Sequence, residues 1–580
     1  MKILCLHCDY IKFKALKKAL KEPEEIDEKE KKGHEIKECL VVLTAVERND
    51  EGFEEEISKK LVENVKGIAE QVKCKKIVLY PYVHLTSHPS MPVSATKVLY
   101  LSSNLLKKDK FDVYQAPFGW YKEFELKCKG HPLSELSRKI YANEQGTGES
   151  KLVMESKDTK ELSEDERKKL LDQILKTRLD REKLKENDHR ILGQKLDLFS
   201  FSEVAPGMVF WHNNGLIIYN ELINYWREEH RKAGYEEIST PQILDKKLWL
   251  ISGHWEKYRN NIFLTQYEGK QYAVKPMNCP GGILVFKNKP KSYKDLPLRV
   301  GELGVVHRLE LSGVLNGLFR VVRITQDDAH IYCTEEQIEQ EVMNIINLVG
   351  KIYKKFDLPY RLELSTRPEK RIGTDAQWDM SEKILESVLK KNKLPYKLNK
   401  GDGAFYGPKI DFHLKDSQGR EWQCATIQLD FAMPERFDLK YTDENNKEKR
   451  PVMLHRTALG ALERFIGILL EHTNGNLPTW LSPTQVRIVS FTDRNIKAVE
   501  KLKKQFEDEN IRVDIDVKNE TVNNKIRNAE MMHINYIIVI GDKEEKAKTL
   551  AIRPRGKKPE FGVKVDDFLE KIKKEIKERK

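Results

Sequence analysis

The sequence has no apolar stretch long enough to cross a bilayer and no apolar secretory N-terminus, which argues against a membrane or secreted protein. Its eight cysteines are scattered, so a cysteine here is more often a ligand or a core residue than half of a disulfide. Cys5 and Cys8 form a CxxC, but on the strand predicted for MKILCLHC they face opposite ways and are interpreted as core residues. No internal repeat or low-complexity tract occurs. We therefore expect a reduced, cytoplasmic protein without membrane partners.

The size and charge of the chain indicate several domains and a polyanionic partner. A chain of 580 residues is too long for one ordinary core and predicts three or four domains. Charged residues make up 33% and hydrophobic residues 39%, a composition typical of globular proteins. The net charge of +12 favours a polyanionic partner, although helices rich in Lys and Glu can give the same sum.

Periodicity divides the chain into four segments and predicts a multidomain protein of the α/β and α+β classes. Residues 1–145 alternate strand and helix patterns, as in a small α/β domain. Residues 146–195 are nearly all charged and predict a flexible linker followed by a solvated helix. Residues 196–480 contain strand patterns that predict a large, mostly antiparallel sheet flanked by helices. Residues 481–580, after the boundary LPTWLSPTQ, predict a compact α/β module.

Two predicted strands carry a polar face. In RVVRITQDDAH the period of two places six residues on one face, namely Arg320, Val322, Ile324, Gln326, Asp328 and His330. In EWQCATIQLD the same period places Cys424, Thr426 and Gln428 opposite an apolar face. A strand in a domain interior with such a face predicts the floor of a polar cleft.

Scattered cysteine, histidine and arginine residues suggest the chemistry of that cleft. Cys279 lies in the Pro-flanked turn MNCPGG, and His330 and His455 lie on predicted strands. Three mixed Cys/His ligands leave a fourth zinc position open for substrate, whereas Cys424 as a fourth ligand would close the site. Three unrelated residues remain an alternative from spacing alone. Three arginines offer cations for an anionic substrate, namely Arg308, Arg320 and Arg464.

Several segments together resemble a known family. GYEEISTP, VVHRLE running into LFRVVR, and LGALERF resemble motifs 1, 2 and 3 of class II aminoacyl-tRNA synthetases. KPMNCPG and TQDDAH resemble signatures of the threonyl-tRNA synthetase family, and the resemblance covers most of the chain outside the linker. It implies a class II catalytic domain that activates L-threonine with ATP and transfers it to tRNA(Thr). Motif 1 implies a homodimer.

The resemblance also implies residue roles. Arg308 would hold the ATP α-phosphate, Glu310 would meet the adenine amino group, and Arg320 and Arg464 would hold the γ-phosphate end, with Mg²⁺ on the phosphates. One zinc ion (Zn²⁺) at Cys279, His330 and His455 would bind threonine through its amino and hydroxyl groups. The residues expected around the amino acid are Met277, Gln326, Asp328, Tyr406, Cys424 and Gln428. Ala461 departs from a motif 3 position that is often Ser, and we expect a small effect.

The two flanking domains carry resemblances of their own. VLYPYVHLTSHPS, GWYKEFE and GHPLSEL resemble the archaeal-type threonyl editing domain, related to D-aminoacyl-tRNA deacylases. This implies hydrolysis of seryl-tRNA(Thr) by a positioned water in a pocket of four residues, namely His84, Tyr121, Lys122 and Glu135. From the residues alone, an ordinary loop histidine and a solvated lysine remain alternatives. The last domain resembles the class IIa anticodon-binding domain, with Glu544 and Arg553 at positions that read bases.

Two alternative functions remain open from the sequence. One is a synthetase-like protein that binds tRNA for regulation and has lost its chemistry, which the intact arginines and Cys/His set argue against. The other is a synthetase for proline or serine, which the MNCPG and QDDAH segments disfavour.

Overall fold

The structure, a computed structural model, describes residues 1–20, 23–26, 33–86, 88–131, 133–141, 163–175, 184–310 and 313–580. The chain forms two compact units, one within residues 1–151 and the other within residues 152–580. Among the described residues, no helix combines the length and the apolar character that crossing a membrane requires. Half of the predicted linker segment, residues 146–162 and 176–183, lies outside the described residues, as do residues 142–145 at the end of the predicted first domain.

The N-terminal unit is a six-stranded mixed sheet with two helices. Its elements are β1 (Lys2–Lys18), β2 (His34–Ala45), α1 (Glu54–Gln71), β3 (Lys76–Pro81), α2 (Pro92–Lys108), β4 (Asp112–Gln115), β5 (Trp120–Cys128) and β6 (Glu135–Lys139). The strand order is β4-β3-β2-β1-β5, and β6 also pairs with β1. β2, β3 and β4 run parallel, whereas β1 is antiparallel to each of its partners. The predicted small α/β domain is confirmed.

The sheet of this unit has a different apolar cluster on each face. On one face, α1 buries Ile57, Leu61 and Val65, whose helical spacing forms one apolar stripe. Cys5 belongs to this cluster, whereas Cys8 belongs to the cluster on the opposite face. The prediction that the CxxC pair consists of two core residues facing opposite ways is therefore confirmed.

The C-terminal unit begins with a helix in the charged segment and continues into a large catalytic-type domain. Its helices before residue 480 are α3 (Glu164–Leu175), α4 (His189–Lys195), α5 (Asn213–Lys232), α6 (Lys246–Ser252), α7 (His254–Tyr258), α8 (Cys279–Lys287), α9 (Ile338–Lys355), α10 (Asp375–Lys391), α11 (Ala432–Arg436) and α12 (Leu462–His472). Its strands are β7 (Phe199–Ser200), β8 (Phe210–Trp211), β9 (Glu236–Glu237), β10 (Ile243–Asp245), β11 (Leu264–Tyr267), β12 (Lys270–Val274), β13 (Leu298–His307), β14 (Arg323–Cys333), β15 (Tyr360–Ser365), β16 (Tyr396–Asn399), β17 (Lys409–Lys415), β18 (Glu421–Asp430), β19 (Tyr441–Thr442), β20 (Glu448–Lys449) and β21 (Val452–Ala461).

Eight of these strands form one sheet in the order β16-β15-β17-β18-β21-β14-β13-β9. Only the pairs at the two edges, β15–β16 and β9–β13, are parallel. The predicted large, mostly antiparallel sheet is confirmed. The apolar faces of α9 and α12 pack against it, with Val342, Ile346, Phe465 and Leu469 in the same core as Ile427 of β18.

The last part of the chain forms a second sheet with its own core. Its elements are β22 (Val486–Ser490), α13 (Ile496–Asp508), β23 (Val513–Asp516), α14 (Val522–Met531), β24 (Tyr536–Ile540), α15 (Asp542–Ala547), β25 (Thr549–Pro554), β26 (Glu560–Lys564) and α16 (Val565–Lys577). The order is β23-β22-β24-β25-β26, with β22 parallel to β23 and β24. Phe506 of α13 and Phe568 of α16 are fully buried against it. The predicted α/β module is confirmed.

A buried polar cluster ties α4 to the end of α12. His189 Nδ1 lies 2.7 Å from Oε1 of Glu471, and His189 Nε2 accepts the backbone N–H of Leu318 at 2.9 Å. Gln418 and Arg420 also donate to Oε2 of Glu471. Burial alone would raise the pKa of Glu471, but these hydrogen bonds, that of His189 first, outweigh it and lower the pKa. The end of the predicted linker thus packs as part of the large domain.

We expect Glu471→Gln to destabilise the C-terminal unit by about 2–3 kcal/mol, because the partly exposed guanidinium of Arg420 and the buried imidazole of His189 lose their anionic acceptor. Denaturant unfolding followed by tryptophan fluorescence measures this change. Glu444→Gln, in the exposed turn between β19 and β20, is the matched control and should leave the unfolding midpoint unchanged. Equal midpoints for the two variants would contradict a stabilising role for the cluster.

Candidate active site

The floor of the candidate site is formed by three neighbouring strands, β18, β21 and β14. The register places His330 opposite His455, and His455 opposite Gln428. Asp328 precedes His330 by two residues on β14 and lies opposite Thr457 of β21. Because side chains two residues apart share a face of a strand, these rows form one polar surface.

This surface lies at the bottom of a cavity of about 410 Å³. Ten of the residues predicted from the sequence line it, namely Met277, Cys279, Arg308, Gln326, Asp328, Tyr406, Cys424, Gln428, His455 and Arg464. Thr426, which the period of two placed beside Cys424 and Gln428, lines it as well. The structure therefore brings together residues from six separate stretches of the chain.

Cys279, His330 and His455 form a compact group of possible metal ligands. One ligand atom of each lies within 4.8 Å of the others, and all three residues are buried. Cys279 is the first residue of α8, not part of the free turn that the sequence suggested. Nε2 of His330 is buried without a hydrogen-bond partner, which is costly unless a ligand binds it. One sulfur and two imidazole nitrogens suit a zinc ion.

Burial controls the ionisation of this group. It raises the pKa of the Cys279 thiol well above its usual value and lowers the pKa of His330 well below its usual value. Burial also raises the pKa of Asp328, while the charge of His455 acts in the opposite direction. A bound cation would favour the thiolate and the carboxylate here, because it compensates their negative charges in a medium of low dielectric constant.

Arg308 and Arg464 line the cavity while their guanidinium groups are anchored by neutral acceptors. Nε of Arg308 donates to the carbonyl of Pro276 at 3.2 Å. Nε of Arg464 donates to the carbonyl of Phe319 at 3.0 Å, and its Nη1 donates to the carbonyl of Gln423 at 3.2 Å. No carboxylate in the described part of the chain forms an ion pair with either arginine. Among the described residues, both guanidinium groups therefore face the cavity without a carboxylate at ion-pair distance.

Arg320 and Glu310, two further predicted ATP residues, lie at the two ends of the motif 2 loop. They pair with each other, with Nη2 of Arg320 2.8 Å from Oε2 of Glu310. Arg320 precedes β14, which begins at Arg323, so it does not share the strand face that the sequence predicted for it. Residues 311 and 312 of the loop lie outside the described residues.

Neighbouring side chains fix the residues expected around an amino acid. The hydroxyl of Tyr406 donates to Oε1 of Gln428. Nδ2 of Asn278 donates to Oδ2 of Asp328 at 3.2 Å. Sδ of Met277 lies 2.9 Å from Nε2 of His254. These contacts leave the Asp328 carboxylate as an acidic group on the cavity floor.

In the N-terminal unit, Lys122 and His84 lie at the same group of aromatic rings. Nζ of Lys122 donates to the carbonyls of Pro117 at 2.8 Å and Trp120 at 3.1 Å, and lies 5.2 Å from the ring centroid of Tyr80. The ring of His84 contacts Tyr82, which in turn contacts Tyr80. Burial lowers the pKa of Lys122 to about 8, although the negative charge of Glu24 acts in the opposite direction.

The other two residues predicted for this pocket are exposed, as His84 is. Tyr121 is 56% exposed, and Nζ of Lys17 lies 5.3 Å from the centroid of its ring. Glu135 begins β6, opposite Leu6. Among the described residues, no hydrogen bond or ion pair joins Tyr121 or Glu135 to Lys122.

The predicted anticodon residues lie on neighbouring elements of the last domain. Glu544 is in the first turn of α15, and its carboxylate accepts the N–H of Gly541 at 3.1 Å. Arg553 lies on β25 opposite Ile537 of β24, and β24 leads to Gly541. Phe491, which the sequence analysis did not single out, follows β22 beside Gly541 and is 58% exposed. In the sequence, the signal that could have identified Phe491 is an aromatic residue directly after the predicted buried strand VRIVS.

Profiles of known families match three parts of the chain. Residues 1–140 match the archaea-specific editing domain of threonyl-tRNA synthetase. Residues 262–473 match the class II tRNA synthetase core domain of the G, H, P, S and T enzymes, and residues 485–575 match the anticodon-binding domain.

Individual relatives of the chain are named threonine--tRNA ligase or threonyl-tRNA synthetase. The chain is 53% identical over 396 residues to a threonine--tRNA ligase of Clostridium botulinum strain 657, which covers 68% of this chain and 62% of the relative. It is 50% identical over 426 residues to the enzyme of the Kyoto strain, covering 72% and 67%. The RNA-binding domain of threonyl-tRNA synthetase from Cryptosporidium parvum matches with a TM-score of 0.65 and 42% identity, covering 67% of this chain and 98% of that one.

The chain belongs to the threonyl-tRNA synthetase family. It spans somewhat less than two thirds of the length of the first of these curated relatives. The matched regions contain every predicted site residue of the threonyl-tRNA synthetase core, from Met277 to Arg464, and both anticodon residues.

Asp327 is a residue of this synthetase core that the sequence analysis missed. Its buried carboxylate accepts the backbone N–H groups of Ala458, Leu459 and Gly460 at 2.7–3.2 Å. The register between β14 and β21 shifts at this place, so β21 bulges just before α12 and Arg464. Gly460 has φ +76°, and a Cβ there would lie 2.7 Å from the Cys424 carbonyl oxygen. A carboxylate on the face of the predicted strand that points away from the polar cleft was the available signal.

We expect Asp327→Asn to destabilise the C-terminal unit by about 2–3 kcal/mol, because an amide offers one acceptor oxygen and turns an N–H donor toward other donors. Hydrogen exchange of residues 458–460 should accelerate more than exchange in β13. Asp295→Asn is a suitable control, since Asp295 accepts a backbone N–H from Ser292 in an exposed turn. Unchanged exchange at 458–460 would contradict the role of Asp327.

Proposed function

We propose that the protein is a threonine--tRNA ligase that activates threonine with ATP, transfers it to tRNA(Thr) and hydrolyses mischarged seryl-tRNA(Thr). One observation carries the synthetic part of this proposal. A buried Cys/His/His group with a free imidazole nitrogen adjoins the same cavity as two arginines that lack acidic partners. Ligands for an amino alcohol and cations for a triphosphate are thus available at one place.

Arg308 and Arg464 bind the phosphates of ATP, with Mg²⁺ as the usual accompanying cation. The threonine carboxylate attacks the α-phosphorus in line and diphosphate leaves. Negative charge grows on the phosphate oxygens during this step, so fixed cations at the cavity wall lower the barrier. Arg320 and Glu310 take part once their mutual ion pair opens, with Arg320 at the γ-phosphate end and Glu310 at the adenine.

Cys279, His330 and His455 hold a zinc ion, which supplies a Lewis-acidic position for the amino and hydroxyl groups of threonine. Asp328 accepts a hydrogen bond from the amino group, and Tyr406 orients Gln428 toward the substrate. Valine has nearly the shape of threonine but no hydroxyl, and a polar site rejects such an analogue strongly.

Serine escapes this discrimination because it keeps both polar groups and lacks only one methyl group, worth about 1 kcal/mol. We therefore assign hydrolysis of seryl-tRNA(Thr) to the N-terminal unit. Lys122 positions the attacking water, because burial lowers the pKa of its amine to about 8 and its Nζ lies 5.2 Å from the ring centroid of Tyr80. His84, Tyr121 and Glu135 complete the pocket when RNA binds.

The last domain reads the anticodon through Glu544 and Arg553, and the exposed ring of Phe491 offers a stacking surface for a base. A homodimer through motif 1 is supported by exposed apolar side chains directly after that segment, namely Ile243, Leu250 and Ile251. Cytoplasmic location is supported by the cysteines, all of which are free thiols.

The alternative of an inactive tRNA-binding regulator fits the site less well. A protein without chemistry would not need Arg308 and Arg464 held free of acidic partners, nor an unpartnered imidazole nitrogen in a buried group. Both features cost stability and are expected where a ligand compensates them.

Amino-acid-dependent exchange of diphosphate into ATP tests the synthetic activity. We expect strong exchange with threonine, weaker exchange with serine and none with valine or proline. Zinc removal, or His330→Ala, should lower threonine exchange at least 100-fold, because the threonine hydroxyl loses the metal ion that binds it. Exchange with valine equal to that with threonine would refute the zinc-based selection, and no exchange with any amino acid would favour the regulator.

Lys122→Met should abolish hydrolysis of seryl-tRNA(Thr), leave threonine exchange intact and stabilise the N-terminal unit. The folded pKa of about 8 lies below the unfolded value near 10.5, so the unfolded state binds more protons between these values. Stability of the wild type therefore rises with pH across that window, and the variant should lack this slope. Hydrogen exchange of β5 from pH 7.5 to 9.5 measures it, with Lys127→Met as the exposed control on the same strand.

A further inference from the structure

Within the Cys/His/His group, His455 forms a hydrogen bond with a buried carboxylate. Nε2 of His455 lies 2.8 Å from Oδ2 of Asp430, the last residue of β18. The side chain of Asp430 is fully buried and that of His455 is 6% exposed. A hydrogen bond between two such buried groups fixes the plane of the imidazole ring.

Asp430 is itself held in one orientation. Its other oxygen, Oδ1, accepts the backbone N–H groups of Ala432 at 2.8 Å and Met433 at 3.0 Å, at the start of α11. The carboxylate thus uses one oxygen for the helix terminus and the other for His455. The carboxylate therefore cannot rotate away from His455 without breaking the hydrogen bonds that Oδ1 accepts from α11.

This arrangement determines which nitrogen of His455 can bind a metal ion. A carboxylate only accepts hydrogen bonds, so Nε2 of His455 must carry the proton. In a neutral imidazole the lone pair then lies on Nδ1. Asp430 does not belong to the group of ligand atoms that lie within 4.8 Å of one another, so it acts on that group through His455.

We propose that Asp430 is a positioning residue for the metal site, which holds His455 in the tautomer and ring orientation that present Nδ1 to the ion. This inference rests on the zinc site of the proposed function. Carboxylate partners of this kind make a histidine ligand more basic, and their loss weakens metal binding about 10–100-fold.

His330 provides an internal comparison. Its Nε2 has no hydrogen-bond partner, and its Nδ1 side packs against Gly282, where a Cβ would lie 3.4 Å away. His330 is therefore oriented by packing, whereas His455 is oriented by a charged hydrogen bond. Removing one carboxylate should affect the ligand His455 alone.

Asp430→Asn separates the two roles of the carboxylate. Asparagine is as good a helix N-cap as aspartate, so its oxygen can still accept the N–H groups of α11. Its NH₂ group then points at Nε2 of His455 and donates to it. This moves the histidine proton to Nδ1 and blocks the ligand atom. Asp430→Ser also caps the helix but leaves Nε2 without a carboxylate.

The test measures zinc affinity in the full-length protein by competition with a chelating dye, and records the visible spectrum of the Co²⁺-loaded protein. We expect affinity to fall 10–100-fold in both variants, more in Asp430→Asn, with a shifted Co²⁺ spectrum. The unfolding temperature of the metal-free protein should stay within a few degrees. Asp443→Asn is the control, because Asp443 is a buried carboxylate that accepts N–H groups of Asn445 and Lys447 away from the cavity.

The outcomes distinguish this inference from the proposed function. Wild-type zinc affinity and spectrum in both variants would overturn the role of Asp430 and leave the metal site standing. A wild-type protein that binds neither zinc nor Co²⁺ would overturn the metal site and the inference together. A lower unfolding temperature with unchanged zinc affinity would make Asp430 a helix cap only.

Discussion

The antiparallel register between β14 and β21 is the constraint on which the rest of the site depends. It sets His330 beside His455 and Asp328 beside Thr457, so the metal group and the acidic floor come from the same pairing. A shift by one residue would turn all these side chains to the opposite face of the sheet. Asp327 holds the register at the end where β21 bulges, because its carboxylate takes up the three N–H groups that the bulge leaves unpaired. The bulge then directs the chain into α12, which carries Arg464.

The cavity also depends on how its charges are satisfied. Arg308 and Arg464 donate to carbonyl oxygens, which orient a guanidinium without cancelling its charge, whereas the buried carboxylates of Asp327 and Asp430 are each bound by several donors. Asp328 accepts a hydrogen bond from Asn278 on Oδ2, and among the described residues no hydrogen bond to its Oδ1 is seen, so this oxygen can meet a cation. The cavity thus has a positive wall and an acidic floor beside the Cys/His/His group. A zwitterionic amino acid and a polyphosphate would enter such a field in one relative orientation, which is what an in-line attack requires.

Residue patterns predict the parts of this site that lie on a single strand. The period of two is sufficient to place Gln326, Asp328 and His330 on one face, because β14 is regular from Arg323 onward. The same period fails for Arg320, since a turn that closes between Asn316 and Arg320 precedes the strand. Asp327, Asp430 and Glu471 are not predicted, because their partners lie 132, 25 and 282 residues away in sequence and no local pattern records such contacts. Likewise, residue types suggest the zinc ligands, but only the strand register shows that they can meet.

The candidate site of the N-terminal unit contains a residue, Lys122, whose charge is disfavoured by its own surroundings. Lys122 places an amine against Tyr80, where burial disfavours the charged form. Its ammonium group donates hydrogen bonds to two backbone carbonyls, those of Pro117 and Trp120. An apolar side chain at this position would pack without that cost. Such local conflicts are expected at functional sites, where chemistry rather than stability selects the residue. Under the proposed function, the catalytic domain would reject a missing hydroxyl because a ligand would stay unpaired, whereas a missing methyl group would leave nothing unpaired. The proposed function therefore places the discrimination between threonine and serine at a second site, and the Lys122 amine, whose pKa burial lowers to about 8, suits the hydrolysis proposed there.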